Sequence, residues 1–363
     1  MTEPRLLFVF SRGWRKRLED VRAGDAPAEA YGFFALQRRG IEIDGVDEDV
    51  RAPLPWQVLG RPIERLWFAP RSGMGYRLRQ AHGIAALLDG DDTKVLVPTS
   101  DSIGLPLLSL RDRRRIRNEI VQVSIGLCDR IERGILPRGL RERYLRLLAR
   151  ARTVLVFTPV EAELLRKWLP GARVASMPYG VDVDWWTPPP DNPVASGAVF
   201  SAGRDSGRAF DKLVCAVADL PVRTTIAGKL ALDQGLGSSA NLRLTGELSI
   251  ADFRRELWSC QIAIVPSRVR LYGSGQMTAL QAMAAAKPVI FTDTGWARAA
   301  GLRDGVHFLD VPPNDANALR AAISSVLERP DGGAALGAAA RDVVASTFTT
   351  DAQADVILEA ANG

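Results

Sequence analysis

Three cysteines, two histidines and six lysines are all that a chain of 363 residues holds of those types. Cys128, Cys215 and Cys260 stand far apart without CxxC spacing. That excludes a disulfide framework and a cysteine-rich zinc site, and it fits a reduced, cytoplasmic protein. No apolar run approaches the roughly 20 residues of a membrane span. The opening MTEPRLLFVFSRG has a strand-length apolar run and no cleavage site, so it does not read as a signal peptide. GxGxxG is missing as well, which excludes the nicotinamide fingerprint. With 47% hydrophobic and 25% charged residues, the chain is neither disordered nor a coiled coil.

The scarcity of lysine has a counterpart. The 47 basic residues against 42 acidic ones are almost all arginine. An arginine excess follows from a GC-rich genome, and it also suits bidentate contact with phosphate. Composition leaves both open. The excess peaks in residues 111–152, with 13 Arg against 5 acids. Within it, RGLRERYLRLLARAR sets arginines around a leucine stripe. That pattern suits a solvated helix over the core, or a peripheral contact with an anionic membrane face. Nucleic acid is not expected, because no aromatics interleave with the arginines.

Short β-branched runs alternate with helix-period segments. LLFVF (6–10), RLWFA (65–69), KVLVP (94–98), IVQVS (120–124) and TVLVF (153–157) read as strands. The rhythm restarts after residue 196 with GAVFSAG, RTTIAG, NLRLTG, QIAIVPS and KPVIFTDTG. A helix is expected from an Asp25 cap, through Pro27, to about Arg39. Such alternation implies α/β architecture with parallel sheets covered on both faces. WWTPPPDNPVASG (185–197) is proline-rich and cannot be helical, so it reads as a linker. The expected domains are 1–184 and 197–345, joined by 185–196, with a helical tail, 346–363, packing back on the first.

Ligands of such sheets bind beyond the carboxyl ends of the strands. SRG (11–13) offers Gly13. SAGRDSGRAFDK (201–212) offers Gly203, Arg204, Arg208 and Lys212, two guanidiniums on a loop entering a helix, which suits a diphosphate. In GSGQMTALQ, Ser274, Gly275, Gln276, Met277 and Thr278 stand at a helix start, where free N–H groups hold phosphate. TGELS (245–249) adds Gly246 and Glu247. DVD (182–184) imitates a metal motif but lies away from these loops, so no metal is expected.

Taken together, RTVLVFTPVEAELLRKWLPGARVASMPYGVDVDWWTP, FSAGRDSGRAFDKLVCAV, LTGELSIADFRRELWSCQIAIVPS and GSGQMTALQAMAAAKPVIFTDTGW resemble, in order and spacing, the C-terminal half of GT-B glycosyltransferases, nearest to retaining family four. TSDSIGLPLLSL (99–110) is a looser match in the first half. The resemblance implies two doubly wound Rossmann-like domains facing across a cleft. It implies transfer of a sugar from a nucleotide-activated donor to a hydroxyl acceptor, with retention, no metal and no cofactor beyond the donor. Arg204 and Arg208 would hold the diphosphate. The chain also departs from that family: Gly273 and Gln281 stand where paired glutamates are usual, and Ile125 where a histidine is. Gln281 would meet the ribose, and Asp101 or Asp25 would serve as base if the reaction inverts. A nucleotide-sugar 2-epimerase of the same fold and a degenerate sugar-nucleotide-binding protein are the alternatives.

Overall fold

A computed structural model of the chain describes residues 4–11, 13–68, 74–205, 207–228, 240–268 and 273–363. Two compact units form. The first comprises Met1–Arg22, Glu29–Pro178 and Thr350–Gly363, and the second Ala23–Ala28 and Tyr179–Thr349. The change of unit falls at Pro178, so the proline-rich stretch 185–196 lies inside the second unit.

In the first unit β1 (Arg5–Val9) pairs with β2 (Ile43–Val46) and β3 (Lys94–Pro98), and β5 (Thr153–Val156) pairs with β4 (Val121–Val123) and β6 (Val174–Ser176). All pairs are parallel, and a Leu96–Ile120 bridge joins the two sets in the order β2-β1-β3-β4-β5-β6. In the second unit β7 (Ala198–Ala202), β8 (Arg223–Ala227), β9 (Leu242–Thr245), β10 (Ile262–Val265), β11 (Val289–Phe291) and β12 (Leu309–Asp310) form one parallel sheet in the order β12-β11-β10-β7-β8-β9. Every residue of β5 and of β10 is buried, which is why these strands read as unbroken apolar runs.

Two expectations fail locally. Residues 65–68 are no strand: Glu64–Phe68 forms a π-helical turn continuing the helix Trp56–Ile63, and residue 69 lies outside the described residues. A short apolar run cannot by itself tell strand from helix. Here Glu64 accepts the Arg79 N–H at 3.0 Å, and Pro62 inside the preceding helix removes a donor, the kind of disruption a π turn absorbs. The helix expected over 25–39 shrinks to Phe33–Arg38, with Gly32 (φ 70°) rather than Asp25 at its start. Residues 23–28 instead belong to the second unit: the Trp185 indole N–H donates to Gly24 O and the Ala28 N–H to Asp182 Oδ2.

The chain's last helix, Thr350–Asn362, returns to the first unit. Arg152 donates to Ala361 O at 2.6 Å, Thr153 to Ala360 O at 3.3 Å, and Arg39 pairs with Asp351 and Asp355. In the basic segment 111–152 the apolar stripe of Arg138–Leu148 faces inward. Tyr144, Leu147 and Leu148 are buried in the first unit's core, and Leu140 and Leu145 pack against it. No helix among the described residues is long and apolar enough to cross a membrane.

Candidate functional site

The chain winds β7, β8 and β9 outward, then returns to the other side of β7 for β10, β11 and β12. The order therefore reverses between β7 and β10, and such a switch point is where open α/β sheets bind ligands. The loops leaving β7 and β10 meet there. Arg208 bridges to Ser267, Ala209 N–H donates to Pro266 O at 2.9 Å, and Arg268 N–H to Gly207 O at 2.6 Å.

The two arginines expected to form a clamp have different fates. Arg208 is 3% exposed. Its guanidinium donates to Ser267 Oγ at 3.2 Å and Thr278 Oγ1 at 3.3 Å, tying the β7 loop to the helix Gln276–Ala284. Two glycines make room for it. A Cβ on Gly203 would stand 2.2 Å from Arg208 Nε, and one on Gly275 2.2 Å from Nη1. Gly275 also holds φ 86°, so both space and backbone demand glycine. Arg204 remains in solvent, its side chain 76% exposed and paired with Glu247 at 3.1 Å. An exposed pair of that kind is weak, so the guanidinium can be recruited by a stronger anion. Lys212, on the helix Phe210–Val217, faces Asp211 at 3.7 Å.

Asp205 and Ser267 are the residues that sequence reasoning missed. Asp205 accepts from Ser274 Oγ at 2.8 Å and from the Gly207 N–H at 2.7 Å, so one carboxylate fastens both loops. Its place in GRDSG, where an Asp can bond the backbone two residues on, was the available signal. Gly275, not Ser274, is the cap of the helix. Gln276 N–H turns back to Gly273 O at 2.9 Å, and the Gln276 side chain covers Gly273. Met277 is exposed and accepts from the Tyr179 hydroxyl. Gln281 is 5% exposed, one turn along from Met277, and does not face solvent. Gly246 closes the neighbouring β8 and β9 ends: its carbonyl accepts the Gly228 N–H at 3.1 Å, and Gly228 in turn lies against Gly203 O.

In the first unit Gly13 (φ 90°) starts the helix Trp14–Arg22 after β1, with open space where a Cβ would stand. Asp101 is one of the two carboxylates that would serve as base if the reaction inverted. It is the first residue of the helix Asp101–Asp112 and is 1% exposed. Its Oδ2 accepts the Ile125 N–H at 2.8 Å, and burial pushes its pKa up to about 7. Glu161, in the T-x-x-E cap of Pro159–Trp168, accepts from Thr158 at 3.0 Å and is raised by burial to about 8. Asp25 is exposed and belongs to the second unit, beside Arg254, whose guanidinium lies 3.9 and 4.7 Å from the Trp185 and Trp258 rings. Both histidines are engaged locally. His82 stacks on Trp56 at 3.8 Å, and His307 Nδ1 accepts the Arg303 N–H. The DVD run is accounted for by Asp182, which caps Val183–Trp186 and accepts the Trp185 and Ala28 N–H groups.

Residues 206–329 match the family model of glycosyl transferases group 1. The whole chain is similar in structure to sucrose-phosphate synthase from Thermosynechococcus elongatus, with a TM-score of 0.72, 17% identity and 98% of each chain covered. It is similar to a glycosyltransferase from Rickettsia africae, with a TM-score of 0.70, 16% identity, and 100% of this chain and 98% of that one covered. Anabaena HepE, solved with UDP and glucose, gives a TM-score of 0.68 at 15% identity over 99% and 100% of the two chains. The chain has the GT-B fold. No curated protein matches it. The group 1 match runs from within the β7 loop, beyond Arg204 and Asp205, to past β12, and so includes the β10 loop and the helix Gln276–Ala284.

Proposed function

We propose that the protein is a nucleotide-sugar-dependent glycosyltransferase of hexosyltransferase type, acting on a hydroxyl acceptor with retention and without a metal. The observation that carries this reading is the meeting, across the β7–β10 switch point, of the β7 loop, which carries the exposed Arg204, with a helix N-terminus (Gly275–Thr278), the two joined by Asp205–Ser274 and Arg208–Thr278. A diphosphate set there receives N–H groups and the positive helix end from one loop and Arg204 from the other. Leaving-group charge is then stabilised where it develops. In a retaining transfer the departing diphosphate accepts the acceptor's proton on the same face, so no side-chain base is required. Asp101, buried and bonded to a backbone N–H, acts as a structural acid rather than as that base.

Arg208 supports the diphosphate indirectly, by fixing Gly275 and Thr278. In this reading Gln281, on the same helix, exchanges hydrogen bonds with the ribose diol, one accepted and one donated. HepE is solved with UDP, so uridine nucleotides are the first donors to test. Calorimetry with UDP and UDP-glucose against wild type and Arg204→Ala is the deciding experiment. Micromolar binding that weakens at least tenfold in the variant supports the reading, since one charged hydrogen bond contributes roughly 1.5–3 kcal/mol. If a panel of nucleoside diphosphates and their sugars neither binds nor shifts the melting temperature, the donor site is not where we place it.

A further inference from the structure

The amino-terminal edge of the first unit's sheet carries a pocket that the proposed transfer does not use. It encloses about 220 Å³ and is lined by Leu88 and Asp92 ahead of β3 and by Arg114, Arg115, Arg117 and Asn118 ahead of β4. Two of the nearby carboxylates are occupied, and a third, Asp92, lines the pocket itself. Glu119 binds Arg111 and Arg152, and Asp112 binds Arg150. Arg114, Arg115 and Arg117 have no carboxylate partner among the described residues. Asn118 ties the two loops of the pocket together: it is 2% exposed and donates to Asp91 O and Lys94 O, both at 2.9 Å.

Arg114 sits at a costly position. The helix Asp101–Asp112 ends with Arg114 at φ 56°, the Arg115 N–H reaching back to Leu110 O and the Arg114 N–H to Arg111 O. That turn ordinarily takes glycine, so an arginine there keeps its side chain at the expense of backbone strain. Arg113 and Arg115 also act on His82, whose pKa is lowered first by burial and then by these two cations.

We propose that this pocket binds a phosphate group, as a free anion or in an ester. Three guanidiniums on one rim present forked donors that match phosphate oxygens. A soluble phosphate and a phospholipid headgroup offer the same chemistry, and the experiment separates them. Hydrogen exchange is followed with pyrophosphate present, because the second unit's loops would also bind that anion and the readout must be local. Slowed exchange in residues 89–92 and 113–118, lost in Arg114→Gln/Arg115→Gln/Arg117→Gln while exchange in 207–213 is unaltered, establishes a free-anion site. Sedimentation with phosphatidylglycerol vesicles, lost in the same variant, with no local effect of pyrophosphate, establishes a headgroup site. A single change gives opposite signs in two readouts: Arg114→Gly should raise the melting temperature by relieving the turn, yet weaken anion or vesicle binding about tenfold. Failure of both pyrophosphate and vesicles to bind in a way that depends on these arginines, or unchanged affinity in Arg114→Gly, overturns the proposal.

Discussion

Arg204 and Arg208 lie four positions apart in sequence, yet in the structure the first is mostly exposed and the second buried. Their truncations should therefore separate. Arg204→Ala removes only an exposed pair with Glu247, and its melting temperature should stay near wild type while donor affinity falls at least tenfold. Arg208→Ala leaves Ser267 and Thr278 without their donor and opens space beneath Gly203 and Gly275, so it should cost about 2–4 kcal/mol of stability. Urea unfolding followed alongside calorimetry distinguishes the two. Equal stability loss in both variants would contradict the burial difference. Gly275→Ala belongs with Arg208, because its Cβ would strike the Arg208 guanidinium and Val265. Gln281 makes a narrower claim. Alanine there should weaken nucleoside diphosphate binding without any sugar attached, and Gln281→Glu should keep or improve it. An alanine variant binding as tightly as wild type removes Gln281 from the ribose.

Among elements, the parallel strands and the helix Gln276–Ala284 were legible because β-branched runs and a Gly-rich helix start are local signals. The two misread segments fail for tertiary reasons. Residues 65–68 turn helical under a contact from Arg79, 15 residues beyond Glu64, and Asp25 is drawn to the second unit by Trp185 and Asp182, more than 150 residues away. Candidate site residues are named by type and place, but type does not say that Arg208 is buried as a brace. Nor could it reveal that Asp205 links two loops. That link invites a double-mutant cycle. Ser274→Ala breaks the 2.8 Å bond to Asp205, as does Asp205→Ala, and each should lower donor affinity several-fold. Because Asp205→Ala removes the shared bond as well as the one to the Gly207 N–H, the double variant should be little worse than Asp205→Ala alone. Strictly additive losses would mean that the two loops are held independently.

At the scale of the whole molecule, the GT-B arrangement leaves chemistry at the carboxyl ends of the strands, and in the first unit that edge holds acids rather than bases. Asp101 follows β3 and Glu161 follows β5, each almost fully buried, and the charge of one raises the other. Burial is the larger cause for both, lifting them to about 7 and about 8. Unfolded, they would titrate near 4. The folded state thus holds protons that the unfolded state has released across roughly pH 4 to 8, and the contribution of these two groups to stability falls as pH rises through that window. Below it both states are protonated and the contribution is complete. Above about 8 it is gone, and the fold carries two desolvated carboxylates. Asn and Gln keep an acceptor for the Ile125 N–H and the Thr158 hydroxyl without a titrating proton. Melting temperatures measured at pH 5, 6.5 and 8 should fall steadily in wild type. In Asp101→Asn/Glu161→Gln they should be flatter, with the variant more stable than wild type at pH 8 by on the order of a few kcal/mol. A variant with the wild-type slope would show that these two carboxyls are ionised in the fold and that the pH dependence lies elsewhere.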